Sequence, residues 1–215
     1  VVQVQPRTVV VLAHGGVVRL HDIAGIAPAI LDGALLGQAG GGAIADVLFG
    51  AVNPSGRLAE TVPVRLQDAP AYLNFPSERG HTRYGERIFV GYRWYDAKDL
   101  PVTYPFGHGL SYTTFAYDNL DVRDDHGGLT VTVGVTNTGA RRGREVVQIY
   151  AGLADSQVAR APRWLVGFGA VTLEPGDRNV VEIAVRRNDL AYWADRWVVE
   201  TGDYTLWAGA SCRDL

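Results

Sequence analysis

Glu78, His81, Arg83 and Glu86 bring two carboxyl groups, an imidazole and a guanidinium into one short, turn-rich stretch. A carboxylate pair beside a histidine is the equipment of general acid/base chemistry. The same four residues also suit an ion-paired clamp that holds the stretch down, with Tyr84 and the rings after it buried around the clamp. His14 is a separate candidate. It follows the apolar run Thr8–Ala13, and in open α/β sheets ligands collect at the carboxyl ends of strands; a histidine bonded to backbone is the structural alternative there. Gln38 to Gly42 could cradle an anion at a helix start. Its spacing matches neither the dinucleotide nor the P-loop fingerprint, which favours a tight turn for close helix packing. Tyr92, Trp94, Tyr95, Tyr104, Phe106 and Tyr112 suit either a sugar-stacking platform or a packed joint. Trp164, Trp193, Trp197 and Trp207 could mark a carbohydrate-binding face, although Trp207 lies in an alternating run that reads as core. His108, between two glycines, reads as a turn residue, and Cys212 as inert.

The elements that must carry these groups change character along the chain. Residues 1–64 predict strand, crossover and helix units of a partial α/β sandwich. The β-branched run Thr8–Ala13 reads as a parallel strand buried on both faces. A second buried strand follows Pro28, and Ile44, Val47 and Leu48 trace a helical stripe that Gly50 ends. Leu58–Val64 reads as a further strand. These units are too few to complete a covered parallel sheet. If the chain is a truncated part of such a sheet, it must expose a strand edge and an apolar patch. Residues 65–114 read as a connector pinned by its aromatic rings. Residues 115–215 predict an antiparallel β-sandwich of immunoglobulin or fibronectin type III-like form. Val/Leu alternate with Thr/Gly over 129–137, and short strands follow near 145–150, 164–168, 180–185 and 204–208, parted by turns such as Glu174-Pro175-Gly176-Asp177.

Composition narrows the function. The chain has 215 residues, 47% apolar and 20% charged, so it can bury a real core. A net charge of -3 with dispersed signs gives no footprint for nucleic acid or an anionic membrane. No apolar run reaches the roughly 18–20 residues that span a bilayer. One cysteine excludes an internal disulfide and a multi-cysteine metal site. A single thiol is compatible with a cytosolic origin and does not establish one. The absence of any Met, with no basic leader at the start, fits a chain that begins mid-protein.

The ordered series Val47-Leu48-Phe49-Gly50-Ala51-Val52-Asn53-Pro54-Ser55-Gly56-Arg57-Leu58, then Asn74-Phe75-Pro76, Tyr84-Gly85-Glu86, Phe89-Val90-Gly91-Tyr92-Arg93 and Pro105-Phe106-Gly107-His108-Gly109-Leu110-Ser111-Tyr112, resembles the C-terminal half of glycoside hydrolase family 3, mostly β-glucosidases. The resemblance covers essentially the whole chain. It implies a retaining glycosidase with a nucleophilic carboxylate and an acid/base carboxylate about 5 Å apart. It places the nucleophilic Asp on an N-terminal barrel and the acid/base Glu upstream of the segment matching Thr8–Leu12. Neither motif is present, so no catalytic residue is carried over and the isolated chain is expected to be inactive. His14, Glu78, His81, Arg83 and Glu86 remain candidates for substrate contact. The implied partners are the missing barrel and early sandwich portion of the same enzyme and a β-glucoside, with no cofactor or metal. The sequence departs from the commoner family pattern at Val17-Val18, at Gly33-Ala34 in place of Ala-Trp, at Ala39, and at Arg87 in place of a glycine. The alternative from another class is a stand-alone carbohydrate-binding or scaffolding module, which an exposed, coplanar aromatic set on the sandwich would favour.

Overall fold

Strand β1 (Val9–Leu12) pairs in parallel with β2 (Ala29–Asp32), in the register Val9↔Ala29 to Leu12↔Asp32. The crossover between them holds the single turn α1 (His21–Ala24). The computed structural model describes all residues from Val1 to Leu215, and the chain divides into two units. The first comprises residues 1–52 and 60–105; the second comprises 53–59 and 106–215.

In the first unit, β1 and β2 form a two-stranded sheet with no further strand beside them. Parallel pairs are ordinarily covered on both faces, and the sequence predicts as much for β1. The structure corrects this expectation. Val10 and Leu12 are half-buried, but Val9 and Val11 on the alternate face are 46% and 40% exposed. The residues have the character of a doubly buried strand, yet only one face has a neighbour. Helix α2 (Gly40–Leu48) carries the expected stripe, with Ile44 and Val47 half-buried but Leu48 and the following Phe49 exposed. Gly40 starts this helix against Leu36: a Cβ there would lie 2.7 Å from the Leu36 Cβ. That supports the tight-turn reading of the Gly40–Gly42 run over an anion cradle.

The expected strand over 58–64 shrinks to β3 (Val62–Pro63), antiparallel to β4 (Val102–Tyr104). Between them α3 (Tyr92–Ala97) turns Tyr92 and Tyr95 inward, 8% and 4% exposed; Val62 and Leu20 are buried as well. Arg65 donates from Nε and Nη2 to the two Asp68 carboxylate oxygens at 3.2 and 2.6 Å, and Trp94 Nε1 donates to the Asp68 carbonyl at 2.9 Å. Arg65 holds the Asp68 carboxyl below the usual carboxylate range, against the opposing effect of desolvation.

The second unit is the predicted sandwich. Its strands are β5 (Phe115–Asp125), β6 (Gly128–Asn137), β7 (Gly143–Leu153), β8 (Trp164–Leu173), β9 (Arg178–Arg186), β10 (Tyr192–Trp193), β11 (Trp197–Val198) and β12 (Tyr204–Gly209). One sheet runs β5-β6-β9 and the other β12-β7-β8, all antiparallel, while β10 and β11 form a separate hairpin. The alternation seen in the sequence places Val131, Val133 and Val135 inward from β6. They meet Val147, Ile149 and Ala151 of β7 and Val181, Ile183 and Val185 of β9, nearly all essentially inaccessible. At about 1.5–3 kcal/mol for each buried branched side chain, this cluster is the main stabilising term of the sandwich. Residues 53–59, which have no regular structure, belong to this unit through the hydrogen bonds of Leu58 N to His108 O and Gly107 N to Leu58 O.

Arg87 lies in the left-handed region, at φ 56°, where an L side chain is disfavoured by about 1–2 kcal/mol. It is the position at which the sequence departs from glycine. We expect Arg87→Gly to raise the stability of the first unit by about 0.5–1 kcal/mol, the strain relief outweighing the added freedom of the unfolded glycine. Urea midpoints would show the gain, and an Arg87→Ala control should give none.

Candidate functional site

His14 leaves the end of β1 next to the last residue of β2. The register that pairs Leu12 with Asp32 brings the Asp32 carboxylate within 3.2 Å of His14 Nε2, and His14 Nδ1 lies 2.6 Å from the Gly16 carbonyl. Asp32 Oδ1 also accepts from the Ala34 amide at 2.9 Å, so the carboxylate is fixed. Both ring nitrogens therefore face acceptors, an arrangement that favours the doubly protonated imidazolium. Desolvation works against that charge. The hydrogen bonds to Asp32 and Gly16 and the charges of Asp32 and Glu60 outweigh it, so the pKa is raised above 6.5. His14 is thus a committed structural ion-pair partner, and Asp32 is the residue that sequence reasoning missed. The signal was available: each closes an apolar strand, and adjacent parallel strands place such residues side by side.

This pair has a pH signature. A cation whose folded pKa is raised stabilises the fold fully below its unfolded pKa, near 6.5, and ceases to do so as pH rises through the folded value. The first unit should be more resistant to urea at pH 6 than at pH 8.5. His14→Gln should flatten that difference, and an unchanged pH dependence in the variant would exclude the pair as its source.

The connector residues are not gathered into a side-chain cluster. Glu78 and His81 face each other across a tight reverse turn, joined by backbone hydrogen bonds of 3.0 and 2.9 Å, with Arg79 and Gly80 at positive φ between them. No ion pair joins Glu78, His81, Arg83 or Glu86, and the first three are exposed. Tyr84, expected to be buried around a clamp, is 77% exposed. The turn chemistry at Arg79-Gly80 dictates the local structure, and the charges project from it instead of meeting. Glu86 differs from the other three. It is half-buried, and its Oε2 is sealed from solvent with no hydrogen-bond partner. An unmatched buried carboxylate oxygen costs about 1–3 kcal/mol or more, which makes Glu86 the acceptor among the five candidates with unspent capacity.

The tryptophans separate cleanly. Trp164 is buried, with its Nε1 donating to the Asp189 carbonyl at 2.9 Å, and Trp207 is half-buried. Trp193 and Trp197 are 63% and 59% exposed, and their rings meet edge-to-face at an interplanar angle of 78°. The exposed set is therefore not coplanar.

His108 sits in the Gly107–Gly109 turn, where desolvation, with help from Arg57, lowers its pKa against the pull of Asp214. Gly107, at φ 84°, donates its amide to Leu58 O and accepts from Gln148 Nε2 at 3.1 Å. A Cβ at Gly107 would overlap the Gln148 amide, so only glycine fits.

Residues 1–112 match the glycosyl hydrolase family 3 C-terminal domain, and residues 145–212 match the fibronectin type III-like domain. The chain is 44% identical over its whole length to thermostable β-glucosidase B of Acetivibrio thermocellus, of which it spans 29%. It is 43% identical over 97% of its length to an exo-α-(1→6)-L-arabinopyranosidase of Bifidobacterium longum, of which it spans 28%. The crystal structure of a family 3 β-glucosidase from Bifidobacterium adolescentis superposes with a TM-score of 0.91 at 46% identity, covering 96% of this chain and 31% of that one. The chain spans less than a third of each relative's length, and across that span its two-domain order and its ordered motifs are those of glycosyl hydrolase family 3, to which it belongs.

Proposed function

We propose that this chain acts as the C-terminal part of a longer retaining β-glycosidase, of β-glucosidase type, whose two catalytic carboxylates lie on an N-terminal barrel and an early sandwich portion that precede it. The observation that carries this reading is the bare face of the first unit. Val9 and Val11 of a two-stranded parallel sheet, with Leu35 and Phe49 at 80% and 89% exposure, form apolar surface that a self-sufficient domain would cover. Further strands and helices of the same sheet would bury it. In that assembly the sandwich braces the enzyme, while Glu78, His81, Arg83 and Glu86 lie toward the aglycone. The stand-alone module finds less support, since the apolar face of the first unit is left bare.

A chimera tests the reading. This chain would replace the matching 29% of the Acetivibrio β-glucosidase B, and hydrolysis of p-nitrophenyl β-glucoside and of p-nitrophenyl α-L-arabinopyranoside would be assayed. The 23.2 kDa chain alone should be silent and the chimera active on the glucoside. Glu86→Gln in the chimera should raise KM. Turnover by the isolated chain, or a folded chimera without activity on either sugar, would overturn the proposal.

A further inference from the structure

The β10–β11 hairpin presents two large rings that its folding does not require. Trp193 pairs with Trp197, and the turn closes through Ala194 N to Arg196 O at 2.9 Å with Asp195 at φ 58°. Neither ring belongs to the core cluster, and both stand more than half exposed with centroids 5.4 Å apart. Tryptophan is on average highly buried because its ring is costly to hydrate, so two such rings on one short hairpin suggest a surface that meets something.

Beside Trp197 opens a depression of about 560 Å³ lined by Gly127, Arg186, Arg187, Asn188, Asp189 and Trp197. That size falls among small-molecule sites, which run from about 300 to 1,000 Å³. Its polar wall is hydrogen-bonded. Arg186 donates from Nη2 and Nε to the two Asp189 oxygens at 2.8 and 3.1 Å, and the Arg186 amide adds a third bond at 3.0 Å. Asp189 is thereby held ionised, its pKa lowered chiefly by the Arg186 side chain, with lone pairs left for a donor. The Arg187 amide is tied to Gly127 O at 3.0 Å. The Arg187 guanidinium, the Asn188 side-chain amide and the Trp197 indole N–H are uncommitted, since none enters a side-chain hydrogen bond or ion pair.

We propose that this depression is a carbohydrate-binding site that takes one pyranose residue of a neutral glycan. The C–H face of the sugar lies on the Trp197 ring, and its hydroxyls bond to Arg187, Asn188 and the Asp189 carboxylate. A polyol with one apolar face and hydroxyls that both donate and accept matches this mixture of groups. A phosphate would meet the Asp189 carboxylate, and a nucleic acid would need a run of cations that a chain of net charge -3 does not assemble here. The rings of Trp193 and Trp197 stand at 78° to one another and only Trp197 lines the depression, so the site offers one stacking face and grips a single residue. One stacking contact and a few hydroxyl bonds give an affinity on the order of millimolar, useful for holding a polymer near rather than for selecting it. The site lies wholly in the sandwich and does not depend on the hydrolytic reading.

Affinity electrophoresis of the whole 215-residue chain through gels containing laminarin, barley β-glucan, xyloglucan or arabinogalactan, with heparin as an anionic control, tests this directly. At least one neutral glycan should retard the chain. Trp197→Ala should weaken that retardation about tenfold, on the scale of a lost stacking contact plus its buried area. The double variant Arg187→Ala/Asn188→Ala should weaken it independently and serves if Trp197→Ala fails to fold by circular dichroism, while Trp193→Ala should keep most of the binding. Migration unaffected by every neutral glycan, retardation that survives Trp197→Ala, or binding to heparin alone would each overturn the site.

Discussion

Replacing Glu145 by Ala should cost the sandwich about 3–5 kcal/mol and loosen residues 53–59 against it. Glu145, the third residue of β7, has only 4% of its side chain exposed, and each of its oxygens has one strong donor. Arg57 Nη2 donates to Oε2 at 2.7 Å, and Tyr117 OH donates to Oε1 at 2.7 Å. Desolvation, the Glu145 charge and the hydrogen bond between them push the Tyr117 phenol far above its ordinary range, so it remains a donor at any pH the protein survives. Removing the carboxylate leaves a guanidinium that is itself 9% exposed, with its Nε already unpartnered. Uncompensated buried charge, rather than lost attraction, sets the size of the effect. The control is therefore Arg57→Met/Glu145→Leu, which should recover most of the loss. Because Arg57 is one of several polar ties of a segment without regular structure, Glu145→Ala should also loosen that segment and hasten tryptic cleavage after Arg57. Near-UV dichroism in urea gives the stability and a timed digest gives the loosening. A loss below about 1 kcal/mol would show that water solvates the pair more than its burial implies.

What the sequence reveals, and what it hides, follows from the range of the interactions involved. The period-2 run over β6 is local, and its Val residues lie where alternation puts them, against matching runs in β7 and β9. β5 escaped that reading for a physical reason. As an edge strand paired only with β6, it faces solvent along most of its length and is correspondingly rich in Asp and Asn. Asn119 adds a kink at φ 50° where the register shifts between Asp118 and Asp121, so composition alone reads as a loop. α3 is only six residues, with aromatic rings at positions 92, 94 and 95, and has no room for a helical period to show. The candidate site divides likewise. His14 and Asp32 are near enough in topology to be paired on paper once both strands are recognised, whereas Arg57 and Glu145 are 88 residues apart and meet only in the folded sandwich. The burial of β1 is not legible in its residues because hydrophobicity reports what a strand is suited to meet, and Val9 and Val11 on one of its faces stay exposed.

Asn137→Ala should be comparably damaging, at about 3–5 kcal/mol, although no charge is involved. The Asn137 side chain is fully inaccessible at the end of β6, and all of its capacity is used. Oδ1 accepts from Thr113 Oγ1 at 2.7 Å and from the Gly139 amide at 3.1 Å, while Nδ2 donates to the carbonyls of Arg141 and Leu173 at 2.7 and 3.0 Å. These four bonds tie the start of β5, the β6–β7 turn and the end of β8 to one amide. Alanine deletes all of them and leaves a void too small for water to satisfy every orphaned partner, each of which costs about 1–3 kcal/mol when stranded. Asn137→Asp separates geometry from chemistry. It keeps the shape and the two acceptor bonds at Oδ1, but turns a carboxylate oxygen toward two carbonyls, so it should be at least as harmful as alanine at neutral pH. Acid should narrow the gap by protonating that oxygen into a donor. Melting curves of both variants at pH 4.5 and 7.5 decide the matter: the aspartate variant should gain on the alanine variant as pH falls. If Asn137→Ala instead unfolds within about 1 kcal/mol of the parent, the turn and strand ends are held by their backbones and the amide is only a filler.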